Sequence, residues 1–354
     1  MTAASPKARS GSAAPTELAS PSSETARYRL VLAVLTLSVL LLFIASLFVG
    51  PAAIGFWDSI NALLTGQGEA AALVMREIRL PRALLGAMIG ATLGLSGAAL
   101  QGYLRNPLAE PGLLGVTGAA SFGAVIAIYT GLSALFPLAL PLLALAGAVA
   151  AVLVVQALAG GHGGSLTLIL AGVAVSSLAA ALTALALNLS PNPFAALEIV
   201  FWLLGSLTDR SMVHVMLAAP FMLIGWALLA GLGRSLDLLT LGRDVAASMG
   251  VQMKRVQAQA VLGTASSVGA ATAVAGAIGF VGLVVPHILR PLVGAKPSRL
   301  LLTSALGGAA MILAADIAVR LIAPAKDLKL GVLTAIVGAP FFLWLVFKTR
   351  RAML

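Results

Sequence analysis

The chain contains no cysteine, which excludes disulfides, zinc-thiolate centres and thiol nucleophiles. Charge is scarce too. Only 10% of the 354 residues are Asp, Glu, Lys or Arg, where a soluble domain carries about 25%. Acids are the scarcer sign, 12 against 22 bases. No GxxxxGK[ST] loop occurs, so the chain does not bind ATP in that way. HExxH, a Ser-His-Asp order and paired carboxylates within an apolar stretch are also missing. His162, His214 and His287 are scattered and read as loop or interfacial histidines.

Hydrophobic residues make up 60% of the chain. A soluble protein of that composition would expose apolar surface and aggregate, so the fold class is an all-α polytopic membrane protein. The net charge of +10 follows from basic anchors at membrane-spanning helices rather than from a nucleic-acid partner.

Ten apolar stretches are expected to span, at 30–49, 83–104, 111–131, 137–159, 166–188, 212–232, 260–277, 278–294, 300–320 and 331–347. Residues 1–27, rich in Ala, Ser, Pro and Thr, read as a disordered tail, and 28–354 as one transmembrane domain. Phe194 to Leu207 is too short to span and reads as an interfacial helix with Trp202 as its anchor. Ten spans place both termini on one side. With the ends inside, 15 Lys and Arg face the cytoplasm and 7 face out, as the positive-inside rule requires. A bacterial inner (plasma) membrane location is expected.

The stretch from Arg79 to Gly115 organises the rest. Arg79 and Arg82 flank Pro81, which suits the first turn of a helix. Ala83 to Leu104 is 22 residues without charge, enough to cross a core of about 30 Å. The span ends at Arg105-Asn106-Pro107. Spans here are crowded with small residues, such as Gly86, Gly90, Gly94 and Gly97, which let membrane helices approach closely. A small-residue helix leads into a Gly/Pro break twice, at GAALQGYLRNPLAEPGLLG and at GAATAVAGAIGFVGLVVP, on opposite sides of the membrane. That is the mark of an inverted repeat. Asp316, four residues before Arg320, reads as half of a local ion pair. With so few buried acids, the driving engine is expected on a partner rather than in this chain.

Six motifs then carry a resemblance. RLPR at 79–82, NPLAEPGLLGV at 106–116, LILAGVAVSS at 168–177, GAIGFVGLVVPHILR at 276–290, ADIAVRL at 315–321 and GVLTAIVGAPFFLWLV at 331–346 occur in the order of one family. The chain resembles the iron-chelate, heme and cobalamin permease family of binding-protein-dependent ABC importers, from about residue 28 to the end.

The resemblance implies a type II importer permease that pairs with an identical copy. Two cytoplasmic ATPase subunits would sit beneath, and a periplasmic binding protein would dock from outside. The chain itself would be no enzyme and hold no cofactor or metal, ATP and Mg²⁺ belonging to the ATPase. Arg79, Arg82 and Arg320 would meet acidic residues of the binding protein, the plainer alternative being that they anchor helix ends. Asn106 and Leu108 would form one cytoplasmic gate, and Gly164, Ser165 and Leu166 another. Leu239, Leu241, Gly242, Ala246, Met249 and Gly250 would seat on the ATPase. Ser176, Ser177, Thr183, Thr334 and Gly338 would line the path.

Heme heads the implied cargoes, a ferric siderophore follows closely and cobalamin comes third, an order that no residue derives. A self-contained carrier driven by an ion gradient is the alternative class, and it lacks a buried acidic or Na⁺ site. One departure from the family stands out. Lys326-Asp327-Leu328-Lys329-Leu330-Gly331 replaces a Glu-Leu-Pro-type sequence before the tenth span.

Overall fold

The computed structural model describes residues 21–52, 54–159, 165–190, 192–323 and 328–353, and every regular element among them is helical. The elements run α1 (Pro21–Phe48), α2 (Phe56–Leu64) and α3 (Glu69–Leu73), which passes through a π-helical turn, Val74–Arg79, into α4 (Leu80–Leu104). A 3₁₀ turn, Pro111–Leu114, precedes α5 (Val116–Tyr129) and α6 (Leu132–Leu135). Then come α7 (Ala139–Ala159), α8 (Ser165–Asn188), α9 (Pro193–Leu203) and α10 (Met212–Ala230). The short α11 (Gly233–Leu239) and α12 (Arg243–Ser248) lead to α13 (Met253–Ala275). The chain finishes with α14 (Val281–Leu289), a 3₁₀ turn over Arg290–Val293, α15 (Pro297–Ile322) and α16 (Leu330–Met353).

Among the described residues, eight helical runs are long and apolar enough to cross a membrane, the longest being Glu69–Leu104 with 36 residues. Where the third and eighth spans were expected stand shorter apolar helices, Val116–Tyr129 and Val281–Val293. At 14 residues α5 is only about 21 Å long. Its expected first residues, 111–115, form the 3₁₀ turn and a left-handed Gly115 instead. The seventh span starts earlier than expected, at Met253, because its polar first turns are helical as well. Helix α1 likewise begins at Pro21, so residues 21–27 of the expected tail are helix. Arg299 fixes that start, paired with Glu24 at 3.8 Å and lying over the Tyr28 ring at 5.3 Å.

Helices α4 and α13 form the centre and are buried along most of their length. Around them, α1, α7, α8, α10 and α16 turn large apolar side chains such as Leu40, Leu153, Leu170 and Phe347 outward. Such a surface suits lipid and would fail in water. Close approach inside the bundle depends on glycine. A Cβ at Gly90 would collide with the carbonyl of Gly308, at Gly94 with that of Ser304, and at Gly97 with that of Gly282. Here α4 lies backbone against backbone on α15 and α14.

The expected likeness between halves appears as a repeated local pattern. Each central helix ends at a residue with positive φ, Arg105 at 52° and Gly276 at 74°, and each break leads to a short apolar helix. The breaks lie at opposite ends of the bundle. Gly276 adjoins Gly205 and the start of α16, while Arg105 sits beside α11 and the start of α15.

Gly90→Val should therefore force α4 and α15 apart and destabilise the chain by about 1–3 kcal/mol or more, read as thermal unfolding in detergent. Gly279→Ala, where a Cβ meets nothing within 4 Å, should leave the transition in place.

Candidate functional site

Three arginines and one aspartate meet at the end of the bundle where α1 and α15 finish and α4 begins. Arg79, just before the Pro81 turn, donates from Nη1 to the carbonyls of Leu47 (3.0 Å) and Phe48 (3.3 Å), and from Nη2 to that of Ala52. Arg320 donates from Nη1 to Ser46 O at 2.9 Å and Val49 O at 2.6 Å, and from Nη2 to Ser46 Oγ at 2.6 Å. The last carbonyls of a helix have no partner within it and carry the negative pole of its dipole. Both guanidiniums therefore close the end of α1. Beside Arg320, and bridging it to Arg82, lies Asp316, 1% exposed. It accepts from Arg82 Nε at 3.0 and 3.1 Å, pairs with Arg82 Nη2 at 2.9 Å, and pairs with Arg320 Nη2 at 2.8 Å.

The expected local pair of Asp316 with Arg320 is thus present, widened by Arg82 from α4. Of the three arginines expected to meet a docking protein, Arg79 is 4% exposed and bound to carbonyls at the end of α1, Arg320 is bound to Asp316 and α1, and Arg82, bound to Asp316, keeps a partly exposed side chain. Exposed charge close by is acidic, at Asp58, Glu69 and Glu77. Trp202, expected as an interfacial anchor, is likewise part of the core, and α9 packs on α5. Leu328 and Lys329 of the departing loop are described, and the Lys329 Nζ lies 5.5 Å from the Phe201 ring centre.

The opposite end holds the elbow between α10 and α13. Leu239 and Ala246 are buried and hold it to the bundle, so these two do not form the contact surface expected of them. Leu241 and Met249 are 60% and 57% exposed, and Val245, which sequence reasoning missed, joins them. Their spacing of four, 241-245-249, was the available signal. Gly242 and Gly250 take φ of 114° and 88°, which a side chain would strain.

The elbow is tied to its neighbours by polar contacts. Asp237 Oδ1 accepts the Ser298 N–H at 2.8 Å, and Oδ2 lies 3.8 Å from Lys296 Nζ. Arg243 Nη2 donates to the Tyr103 hydroxyl at 3.4 Å, with its guanidinium 5.8 Å from the ring centre. Tyr103 sits in the last turn of α4, next to the expected gate. In that gate, Asn106 Oδ1 accepts the Leu108 N–H at 2.9 Å and its own N–H donates to Gln101 O, an Asx turn that closes the helix. Asn106 is exposed and Leu108 half-buried. Burial pushes the Glu110 carboxyl in this loop above the usual carboxylate range.

Gly164 lies outside the described residues. Ser165 is the first residue of α8, and Leu166 is exposed in its first turn. The turn that follows the first expected gate packs on α8, where a Cβ at Gly172 would strike the Leu113 carbonyl. Of the expected path residues, Ser177 lies on the open face of α8, while Ser176 and Thr183 are half-buried. Thr334 and Gly338 turn the other way. Thr334 is buried and donates to Gly331 O at 3.1 Å, and a side chain at Gly338 would collide with Phe280. Their small size serves packing of α16 on α14, and the open face of α16 is apolar, with Ile336, Val337 and Leu343. Gln101, Tyr103, Asp237, Arg243 and Arg290 were also missed. The polar pair Gln101 and Tyr103 at the end of an uncharged span was the clue to them.

Asp316→Asn keeps the shape but leaves Arg82 and Arg320 unneutralised. Thermal unfolding of the purified chain should show a loss of about 3–5 kcal/mol. Arg82→Gln should cost less, since Asp316 keeps Arg320.

Comparison with known proteins agrees with this architecture. The FecCD transport family model matches residues 38–348. The chain is 40% identical to the Fe(3+) dicitrate transport system permease protein FecD of Escherichia coli, covering 82% of this chain and 91% of that one. It is also 40% identical to the vitamin B12 import system permease protein BtuC of Shigella boydii, covering 92% and 96%. A solved structure, described as an inward-facing conformation of a metal-chelate type ABC transporter, superposes with a TM-score of 0.80 at 32% identity over 90% of this chain and 99% of that chain. The chain, with its all-helical bundle and six ordered motifs, belongs to the FecCD transport family.

Proposed function

We propose that this chain is the membrane-spanning subunit of an ATP-driven, binding-protein-dependent importer that moves an iron chelate, heme or ferric siderophore, or else cobalamin, into the cytoplasm by alternating access. ATP hydrolysis takes place on two partner ATPase subunits, and this chain contributes no catalytic group. The elbow end and both termini are cytoplasmic, and the arginine cluster faces the periplasm, within a bacterial inner membrane crossed ten times. The relatives named for ferric dicitrate and vitamin B12 support both cargo classes equally.

The exposed apolar row Leu241, Val245 and Met249 carries the reading. It sits on an elbow anchored from behind by Leu239 and Ala246 and joined to the gate helix through Arg243 and Tyr103. Apolar side chains on so polar a segment need a protein to cover them. The buried acid of α15 supports an external engine over an ion relay, because Asp316 already holds two guanidiniums. At the periplasmic end Arg82, partly exposed, is the member of its cluster within reach of a docked binding protein. Arg79 and Arg320 act there as anchors of α1, so the docking contact of this cluster falls to Arg82.

A second, identical copy completes the conduit along the open faces of α8 and α16. Beside α16 an apolar groove of about 710 Å³ runs past Leu204, Phe280 and Ile336. The gates at Asn106 and Leu108 and at Gly164 to Leu166 close this path toward the cytoplasm.

Leu241→Asp with Met249→Asp should abolish transport and cargo-stimulated ATP hydrolysis with the co-expressed ATPase, while stability changes by no more than about 0.5 kcal/mol because both sites are exposed. Since the chain has no cysteine of its own, Ile336→Cys should give an oxidant-dependent covalent dimer, and Leu153→Cys on α7 should not.

A further inference from the structure

A cavity of about 220 Å³ opens between the last turn of α4, the end of the elbow helix α11 and the loop that joins α14 to α15. Gln101, Gly102, Arg105, Thr240, Arg290 and Pro297 line it, and no acid does. Two arginines, Arg105 exposed and Arg290 half-buried, therefore line one small space without a lining counter-charge.

Each lining arginine has hydrogen-bonding capacity to spare. Arg290 Nη2 donates to Gln101 Oε1 at 2.7 Å, but Arg290 Nε is buried and has no partner. The Arg105 backbone N–H donates to Gln101 O, but its side chain makes no hydrogen bond or ion pair among the described residues. Its backbone is held at φ 52°, a region that costs a non-glycine residue free energy and is occupied where the surroundings impose it. Asp237 on the adjoining α11 cannot serve as the missing anion. Its oxygens are engaged by the Ser298 N–H and by Lys296.

Pro297 brings the start of the 26-residue α15 to the cavity, and the positive pole of a helix favours an anion there. The first backbone donors of α15 are already taken, that of Ser298 by Asp237 and those of Arg299 and Leu300 by the Lys296 carbonyl. Recognition thus falls to the two side chains. Guanidinium forks match the oxygens of a phosphate group in geometry and charge.

We propose that this cavity is an oxyanion site that takes a phosphate group, supplied either as free phosphate or as the headgroup of an anionic lipid. An occupant would join three parts of the fold that line the cavity. These are the residue that opens the gate loop, Arg105, the elbow at Thr240, and the turn at Arg290. Occupancy would then bias how freely the elbow moves against the gate, a control distinct from ATP.

The test is thermal unfolding of the purified full-length chain in two arms. In uncharged detergent, inorganic phosphate is titrated against chloride at matched ionic strength. In nanodiscs, phosphatidylcholine is compared with phosphatidylcholine containing phosphatidylglycerol. Arg105→Gln is the main variant, since the Arg105 side chain has no partner among the described residues to lose, and Arg290→Gln is the second. If free phosphate is the ligand, it raises the transition of the wild type, and Arg105→Gln needs about tenfold more phosphate for half the effect. If the ligand is a headgroup, only phosphatidylglycerol stabilises, and the gain disappears in Arg105→Gln. No stabilisation in either arm, or stabilisation of the same size in wild type and Arg105→Gln, overturns the proposal.

Discussion

The fold depends on backbone approaching backbone. Lipid tails are as apolar as leucine, so burial from water cannot by itself pull one spanning helix onto another. What remains is van der Waals contact, and that grows as helix axes approach. Gly90 on Gly308, Gly94 on Ser304 and Gly97 on Gly282 bring α4 close enough to α15 and α14 to act as the spine of the bundle. The polar elements follow from where that spine ends. At one end its first turn, with Arg79 and Arg82, meets the ends of α1 and α15. At the other its last turn, with Gln101 and Tyr103, meets α14 and the elbow.

These two ends answer different electrostatic needs. Where α1 stops, its terminal carbonyls and Asp316 would lie buried without partners, and three arginines satisfy them together. At the elbow, charge is used sparingly and locally. Asp237 fixes α11 to the start of α15, and Arg243 fixes α12 to Tyr103. The segment that carries the exposed row of Leu241, Val245 and Met249 is thus joined to the helix turn just before Asn106.

The spans could be read from sequence because a run of about 20 apolar residues suits little besides a membrane crossing. The buried small-residue helices and the polar excursion at 233–259 could be read for the same reason, as departures from a uniform background. What could not be read was direction. Arg79 looks the same on paper whether it faces a partner or the end of α1, and the deciding acceptors lie some thirty residues away in sequence. Gly338 suits a conduit by chemistry but serves packing by position, since Phe280 occupies its side, and Thr334 one turn earlier is buried as well. Leu239 and Ala246 differ from Leu241 and Met249 in burial alone, which the turn at Gly242 decides. The third and eighth spans came out short because Gly115 and Gly276 break the helix inside hydrophobic sequence, where hydropathy carries no signal.

The central claim is that movement of the elbow reaches the gate through Arg243 and Tyr103. Spin labels on Asn106→Cys in the two copies of an assembled transporter, with the partner ATPase bound, measure it most directly as the distance between labels with and without ATP. The account predicts a shift in that distance on ATP binding and its loss in Arg243→Met, with the ATPase still bound and hydrolysing. A shift of unchanged size in Arg243→Met would contradict it.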